Sequence, residues 1–120
     1  GLRVILPDVD DCYSVVPLLK SISDEPEKMT VHDKIKKPRK RAEGVYYRSI
    51  HVHLPLQKSV FEVQVKTHSM DREAESHPAI AHDEGYLANT RELINQIPYQ
   101  IRAVVAAVIG VRPPIYTTSK

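Results

Sequence analysis

Two short runs, Tyr47-Arg48-Ser49-Ile50-His51-Val52-His53-Leu54 and Phe61-Glu62-Val63-Gln64-Val65-Lys66-Thr67, alternate apolar and polar residues with a period of two. That period belongs to a strand with one buried face. A short Pro-containing link, Pro55 to Ser59, separates the runs, so together they predict a β-hairpin. Ile50, Val52 and Leu54, with Phe61, Val63 and Val65, supply the face that packs. Alternation then puts Tyr47, Ser49, His51 and His53 beside Glu62, Gln64 and Lys66 on the other face, because a slip of one residue would bury the charges. Cross-strand pairing sets His51 opposite Glu62 or Gln64, or one pair away. The bland reading of the same pattern is a solvated outer face of an antiparallel sheet.

At 120 residues the chain has room for one domain with its own core. With 42% apolar and 27% charged residues it is neither disordered nor fibrous. No apolar run approaches the ~20 residues that span a bilayer, and Gly1 to Pro7 lacks the layout of a signal peptide. The single Cys12 has no internal partner and reads as a core thiol in a reducing compartment, which favours the cytosol. An apolar run opening directly at Leu2 gives the expectation of a fragment of something longer.

Net charge is +2, yet six of the eight residues from Lys34 to Arg41 are basic, which leaves the remainder acidic. A local positive cluster of this kind points to an anionic partner such as phosphate more than to a surface coated for duplex nucleic acid. The alternative is a solvated loop or a localisation-type basic run.

Leu2 to Leu6 predicts a strand, and Pro7 to Asp11 supplies turn and cap chemistry for a helix from about Asp11. Tyr13, Val16, Leu19 and Ile22 fall at helical spacing, with Pro17 in the second turn. Ser23 to Gly44 has little periodicity and reads as a long loop. His68 to Tyr86 is helix-compatible at first, before Pro78 and Gly85. From Leu87 to about Ile109, Leu93, Ile94, Ile97, Ile101, Val104, Val105 and Val108 form one stripe, with Pro98 a kink or a boundary between two helices. The expected domain covers 1–110, followed by an extended tail over 111–120.

Several motifs carry residues capable of chemistry. His32-Asp33 and His82-Asp83 could ligate a metal as in phosphohydrolases, but such a centre needs further ligands from several helices. Ser49 lies in a strand rather than at a strained elbow, which disfavours a hydrolase nucleophile. Glu62, the one carboxylate on the polar hairpin face, could bind a hard cation or accept a proton; alternatively it is an exposed strand residue paired with Lys66. Tyr47 could stack on a nucleobase or cap the sheet edge.

Read in order, these residues resemble the synthetase domain of the RelA/SpoT family, whose pattern runs Gly-x-Arg, Asp-Cys-Tyr, Asp-Tyr-Ile with Pro-Lys, Gly-Tyr-x-Ser-x-His and a Glu-h-Gln-h-Arg/Lys-Thr strand. The chain shows Gly1-Leu2-Arg3, Asp11-Cys12-Tyr13, Asp33-Lys34-Ile35 with Pro38, Tyr47-Arg48-Ser49-Ile50-His51, and Glu62-Val63-Gln64-Val65-Lys66-Thr67. Met70, Ala74-Glu75, Ala79-Ile80-Ala81-His82 and Tyr86 continue the match, collinear over about residues 1 to 87. The resemblance implies an α/β (α+β) fold: a mixed sheet of about four or five strands flanked by helices, of nucleotidyltransferase-like type. It also implies a pyrophosphokinase that makes (p)ppGpp alarmones, moving pyrophosphate from ATP to the 3′-hydroxyl of GDP or GTP with Mg²⁺.

On that resemblance Tyr47 stacks on guanine and His51 contacts the acceptor's phosphates. Glu62 sits at the metal and the attacking hydroxyl, supported by Gln64. Lys37, Arg39, Lys40 or Arg41 neutralises phosphate, Lys40 foremost. Arg3, Arg48 and Lys66 lie in the same motifs and count with the site. The chain departs from the pattern at Tyr46, where the family has glycine, at Arg39, where it has lysine, and at Asp83 and Tyr86-Leu87. The family's metal-binding aspartate and ATP-binding basic helix precede the Gly-x-Arg strand, so the C-terminal portion of a synthetase is expected. The alternative implied is a non-catalytic guanine-nucleotide-binding or regulatory module without the ATP site. ATP and GDP/GTP are the expected partners in a cytoplasmic protein with no membrane role; an RNA-binding surface built on the basic loop is the less favoured alternative, and a homo-oligomer is compatible with the sequence.

Overall fold

The computed structural model describes residues 1–76 and 90–118. Its first elements are strand β1 (Leu2–Leu6), helix α1 (Val9–Ile22), a 3-10 turn (Pro26–Lys28) and strands β2 (Thr30–Asp33), β3 (Arg39–Ala42) and β4 (Val45–Tyr47). Strands β5 (Ile50–Leu56) and β6 (Ser59–Thr67) follow, then helices α2 (His68–Ser76), α3 (Arg91–Gln96) and α4 (Tyr99–Ile109), and strand β7 (Ile115–Thr118). Among the described residues five strands make a mixed sheet in the order β2-β5-β6-β1-β7, and β3-β4 form a separate hairpin. β1 runs parallel to β6 and antiparallel to β7.

The predicted hairpin is β5-β6, in a register that sets His51 opposite Gln64 and His53 opposite Glu62. Its strands run further than the sequence indicates. The link shrinks to Gln57-Lys58, both at positive φ (55° and 61°), the backbone of a type I′ turn that matches strand twist. Pro55 sits inside β5 because β2 has already ended beside it, so its missing N–H leaves no sheet neighbour unbonded. Its carbonyl, on that open side, accepts from the Asp24 amide (3.0 Å) and the Ser23 hydroxyl (2.8 Å).

One face of the sheet carries the core. Leu2, Val4, Leu6, Ile50, Val52, Leu54, Val63 and Val65 meet Cys12, Val15 and Leu19 of α1 and Ile101, Val104, Val105 and Ile109 of α4. α1 starts at Val9, earlier than predicted, because Asp8 caps it by accepting the Asp11 amide at 3.0 Å. Its buried stripe is Cys12-Val15-Leu19, with Val16 and Ile22 partly buried and Tyr13 exposed. Pro17, on the exposed side, is accommodated within the helix. Burial also pushes the Cys12 thiol up to about 12, so it stays protonated as packing material.

The stretch read as a loop, 23–44, instead contributes the edge strand β2 and the strand β3. Their side chains are mostly exposed, so no apolar period marks them. Pro98 is a boundary: α3 ends before it and α4 begins after it. Of the C-terminal stretch, Ile115–Thr118 is extended and pairs with β1. Ala79 to His82, Asp83 and Tyr86-Leu87 lie outside the described residues. No helix among the described residues is long and apolar enough to cross a membrane.

Candidate functional site

The site lies on the face of the sheet opposite the core. Register lines up His32 of β2, His51 of β5, Gln64 of β6, Arg3 of β1 and Thr117 of β7 in one transverse row. The adjacent row holds Thr30, His53 and Glu62. Glu62 is exposed, whereas Arg3, Gln64 and Lys66 are buried although polar.

Tyr47 reaches this face by a route that alternation does not give. It belongs to β4, not to the β5 strand, and the chain breaks from strand geometry at Arg48-Ser49. The loop Glu43-Gly44 joins β3 to β4, with Gly44 at φ 72°, a conformation that favours glycine. The hairpin folds over the sheet and lays the tyrosine ring on it, only 5% exposed. The phenolic oxygen is 2.9 Å from Gln64 Oε1 and 2.9 Å from His51 Nε2. A hydroxyl has one proton; given to Gln64, it leaves the oxygen to accept from Nε2–H of a neutral imidazole. The two rings meet edge-on, centroids 5.5 Å apart at 84°.

Electrostatics agree with that assignment. Burial, then the nearby Lys34 ammonium, lower the His51 pKa to about 4, against a smaller opposing pull from Glu62. The ring is therefore neutral at pH 7. Burial likewise raises the Tyr47 hydroxyl, while Ser49, Arg3 and Arg41 pull it back. Three cations surround the tyrosine ring: Lys66 Nζ at 5.5 Å from its centroid, and Lys34 Nζ and Arg41 Cζ each at 5.8 Å.

Tyr47, His51, Gln64, Glu62, Arg3, Lys66 and Arg41 thus share one region, and Arg39 is close enough to act on the Lys34 charge. Lys66, fully buried, pairs with Asp71 of α2 at 3.2 Å. Arg48 and Lys40 have carboxylate partners of their own. Arg48 pairs with Glu73 at 3.3 Å and lies over the Tyr46 ring. Lys40 is taken up by Glu43 at 3.0 Å, and Lys37 lines a cleft of about 440 Å³ with His32, Lys34 and Lys36. Asp71 carries no signal of its own in the sequence, and Lys34 stands there only as one of the six basic residues and within Asp33-Lys34-Ile35. The signal for Lys34 is its parity with His32, visible only once β2 is known to be a strand.

Among the described residues no group of three or more His, Cys, Asp or Glu side chains is placed to hold a metal ion. Glu62 nevertheless offers hard carboxylate oxygens at the surface, which fits a Mg²⁺ that takes its remaining ligands from phosphates and water.

A family model described as "Region found in RelA / SpoT proteins" matches residues 1–90. No curated protein and no solved structure gives a match.

Proposed function

The chain belongs to the RelA/SpoT family, and from that premise we propose that its polar sheet face is the guanine-nucleotide acceptor site of a (p)ppGpp synthetase reaction. The family's synthetase-type activity is pyrophosphate transfer between nucleotides. The observation that carries the reading is the Tyr47-His51-Gln64 hydrogen-bonded centre with Glu62 exposed on the same face.

In the proposed reaction the 3′-oxygen of GDP or GTP attacks the β-phosphorus of ATP. The bond from that phosphorus to the α,β-bridging oxygen breaks, AMP departs, and the 3′-hydroxyl loses its proton. Glu62 is the group proposed to receive that proton and to hold Mg²⁺. When bound, the ion neutralises charge on the transferring phosphates. Tyr47 takes the guanine base, and neutral His51, fixed by its bond to Tyr47, faces the acceptor. Gln64 anchors the tyrosine. Arg39 and Arg41 stand ready for phosphate, with buried Arg3 and the Lys66–Asp71 pair beneath the site. Such a reaction is largely positioning plus charge neutralisation, which is what a rigid sheet face supplies.

The test is Glu62→Gln. AMP release from ATP with GDP should fall at least about a hundredfold, in the range of a lost general base, while GDP affinity is kept. Undiminished AMP release removes the role of Glu62. GDP binding without AMP release in the unmutated protein leaves an acceptor site that does not turn over.

A further inference from the structure

Lys34 is held in place from three directions. Its amide donates to the Ser49 carbonyl at 2.9 Å, one step beyond the end of β2, so its side chain continues the His32 side of the strand. Asp33 next to it accepts the amides of Ile35 (3.0 Å) and Lys36 (2.9 Å). The exposed Tyr13 of α1 lies near the same carboxylate, whose charge acts on its hydroxyl. The backbone at Lys34 is therefore fixed, and the half-buried side chain reaches to 5.8 Å from the Tyr47 centroid.

Charge around it is unbalanced. Among the described residues Lys28, Lys40, Arg48, Lys66 and Arg112 form ion pairs, whereas Lys34, Arg39 and Arg41 form none. Yet these three lie close together: Lys34 and Arg41 flank one tyrosine ring, and burial plus the charges of Arg39 and Arg41 lower the Lys34 pKa. Three like charges held together oppose folding locally, and an anion between them reverses the sign of that interaction. Among the described residues Glu62 is the carboxylate whose charge acts on Lys34, and it does so from a distance without forming an ion pair.

We propose that Lys34, from the β2 edge, joins Arg39 and Arg41 of the hairpin to bind the phosphate chain of the acceptor nucleotide, drawing cations off the Tyr47 ring as the base arrives. This rests on the acceptor reading above. Lys34 stands at the middle position of the Asp-Tyr-Ile pattern, where the pattern has an aromatic, so the contact is a property of this chain. The ligand chemistry is a nucleoside carrying two or three phosphates, and Lys34 makes affinity rise with phosphate number.

Calorimetric titration with guanosine, GMP, GDP and GTP at fixed ionic strength tests it, on the unmutated protein and on Lys34→Met, Lys34→Arg and Lys36→Met. Lys34→Met should weaken GDP and GTP by about ten- to thirtyfold, the scale of one charge-assisted hydrogen bond, and leave guanosine unchanged. Lys34→Arg should restore most of the loss. Lys36→Met removes the same charge two residues away and should have little effect. If GDP binds Lys34→Met as it binds the unmutated protein, or if Lys36→Met loses as much, the Lys34 contact is wrong while the acceptor site stands. If the unmutated protein binds no guanine nucleotide, the acceptor reading itself is wrong. Should Lys34→Met not fold, Lys34→Gln takes its place with the same expected loss.

Discussion

His51 is where one residue's environment becomes measurable. Buried beside Lys34 and hydrogen-bonded to Tyr47, it titrates near 4 in the folded chain against an ordinary value of 6.5. Between those values the unfolded chain binds more protons than the folded one, so stability rises with pH there. Acidification from about 6.5 to about 4 should therefore lower the urea midpoint. In His51→Asn that part of the slope should be smaller, and an identical slope in both proteins contradicts the assignment. Alternation alone placed His51, Gln64, Glu62 and Lys66 on one face, because a strand's period leaves no other choice. Tyr47 was put on that face for the wrong reason: it arrives from a separate hairpin, and its hydroxyl bonds depend on a fold-back that no period encodes. Asp71 acts through a tertiary neighbour and leaves no mark in the local pattern, and the basic run that contains Lys34 does not say which of its members faces the site.

At the scale of elements, the informative failures share a cause. β2 and β3 are exposed on most of their side chains, so they lack the apolar rhythm by which strands are read. The face of α1 differs from the expected one because Tyr13 looks apolar, yet it turns outward, where its hydroxyl stays in reach of water and of the Asp33 charge. Where the rhythm was strong, as over Ile50–Leu54, Phe61–Thr67 and the stripe on both sides of Pro98, strand and helix follow it, although the ends of the elements differ. The β5-β6 turn was drawn too wide, since Gln57-Lys58 lacks the Asn-Gly signature of its type. That mismatch yields a prediction. Lys58, at φ 61°, occupies backbone space that costs a side chain roughly 1–2 kcal/mol, partly offset by the greater unfolded freedom of glycine. Lys58→Gly should stabilise the chain by about 0.5–1 kcal/mol in urea unfolding, and a loss of stability contradicts the turn assignment.

At the scale of the molecule, the sheet divides the labour. One face packs on α1 and α4 and makes the structure stiff; the other is left for polar groups that water alone does not fully serve. Six basic residues between Lys34 and Arg41 in a chain of net charge +2 were legible as an anion site, but not which of them face it. That depended on the β3-β4 hairpin and on the side chains Glu43 and Glu73, which claim Lys40 and Arg48. The account as a whole stands on the Tyr47-His51-Gln64 face receiving a guanine nucleotide. Following the histidine and tyrosine ring resonances by NMR while GDP is added tests this directly, with Tyr47→Phe and His51→Asn to assign the signals. The account predicts saturable shifts at Tyr47 and His51 with GDP and none with CDP; shifts confined to other rings, or equal shifts with CDP, would contradict it.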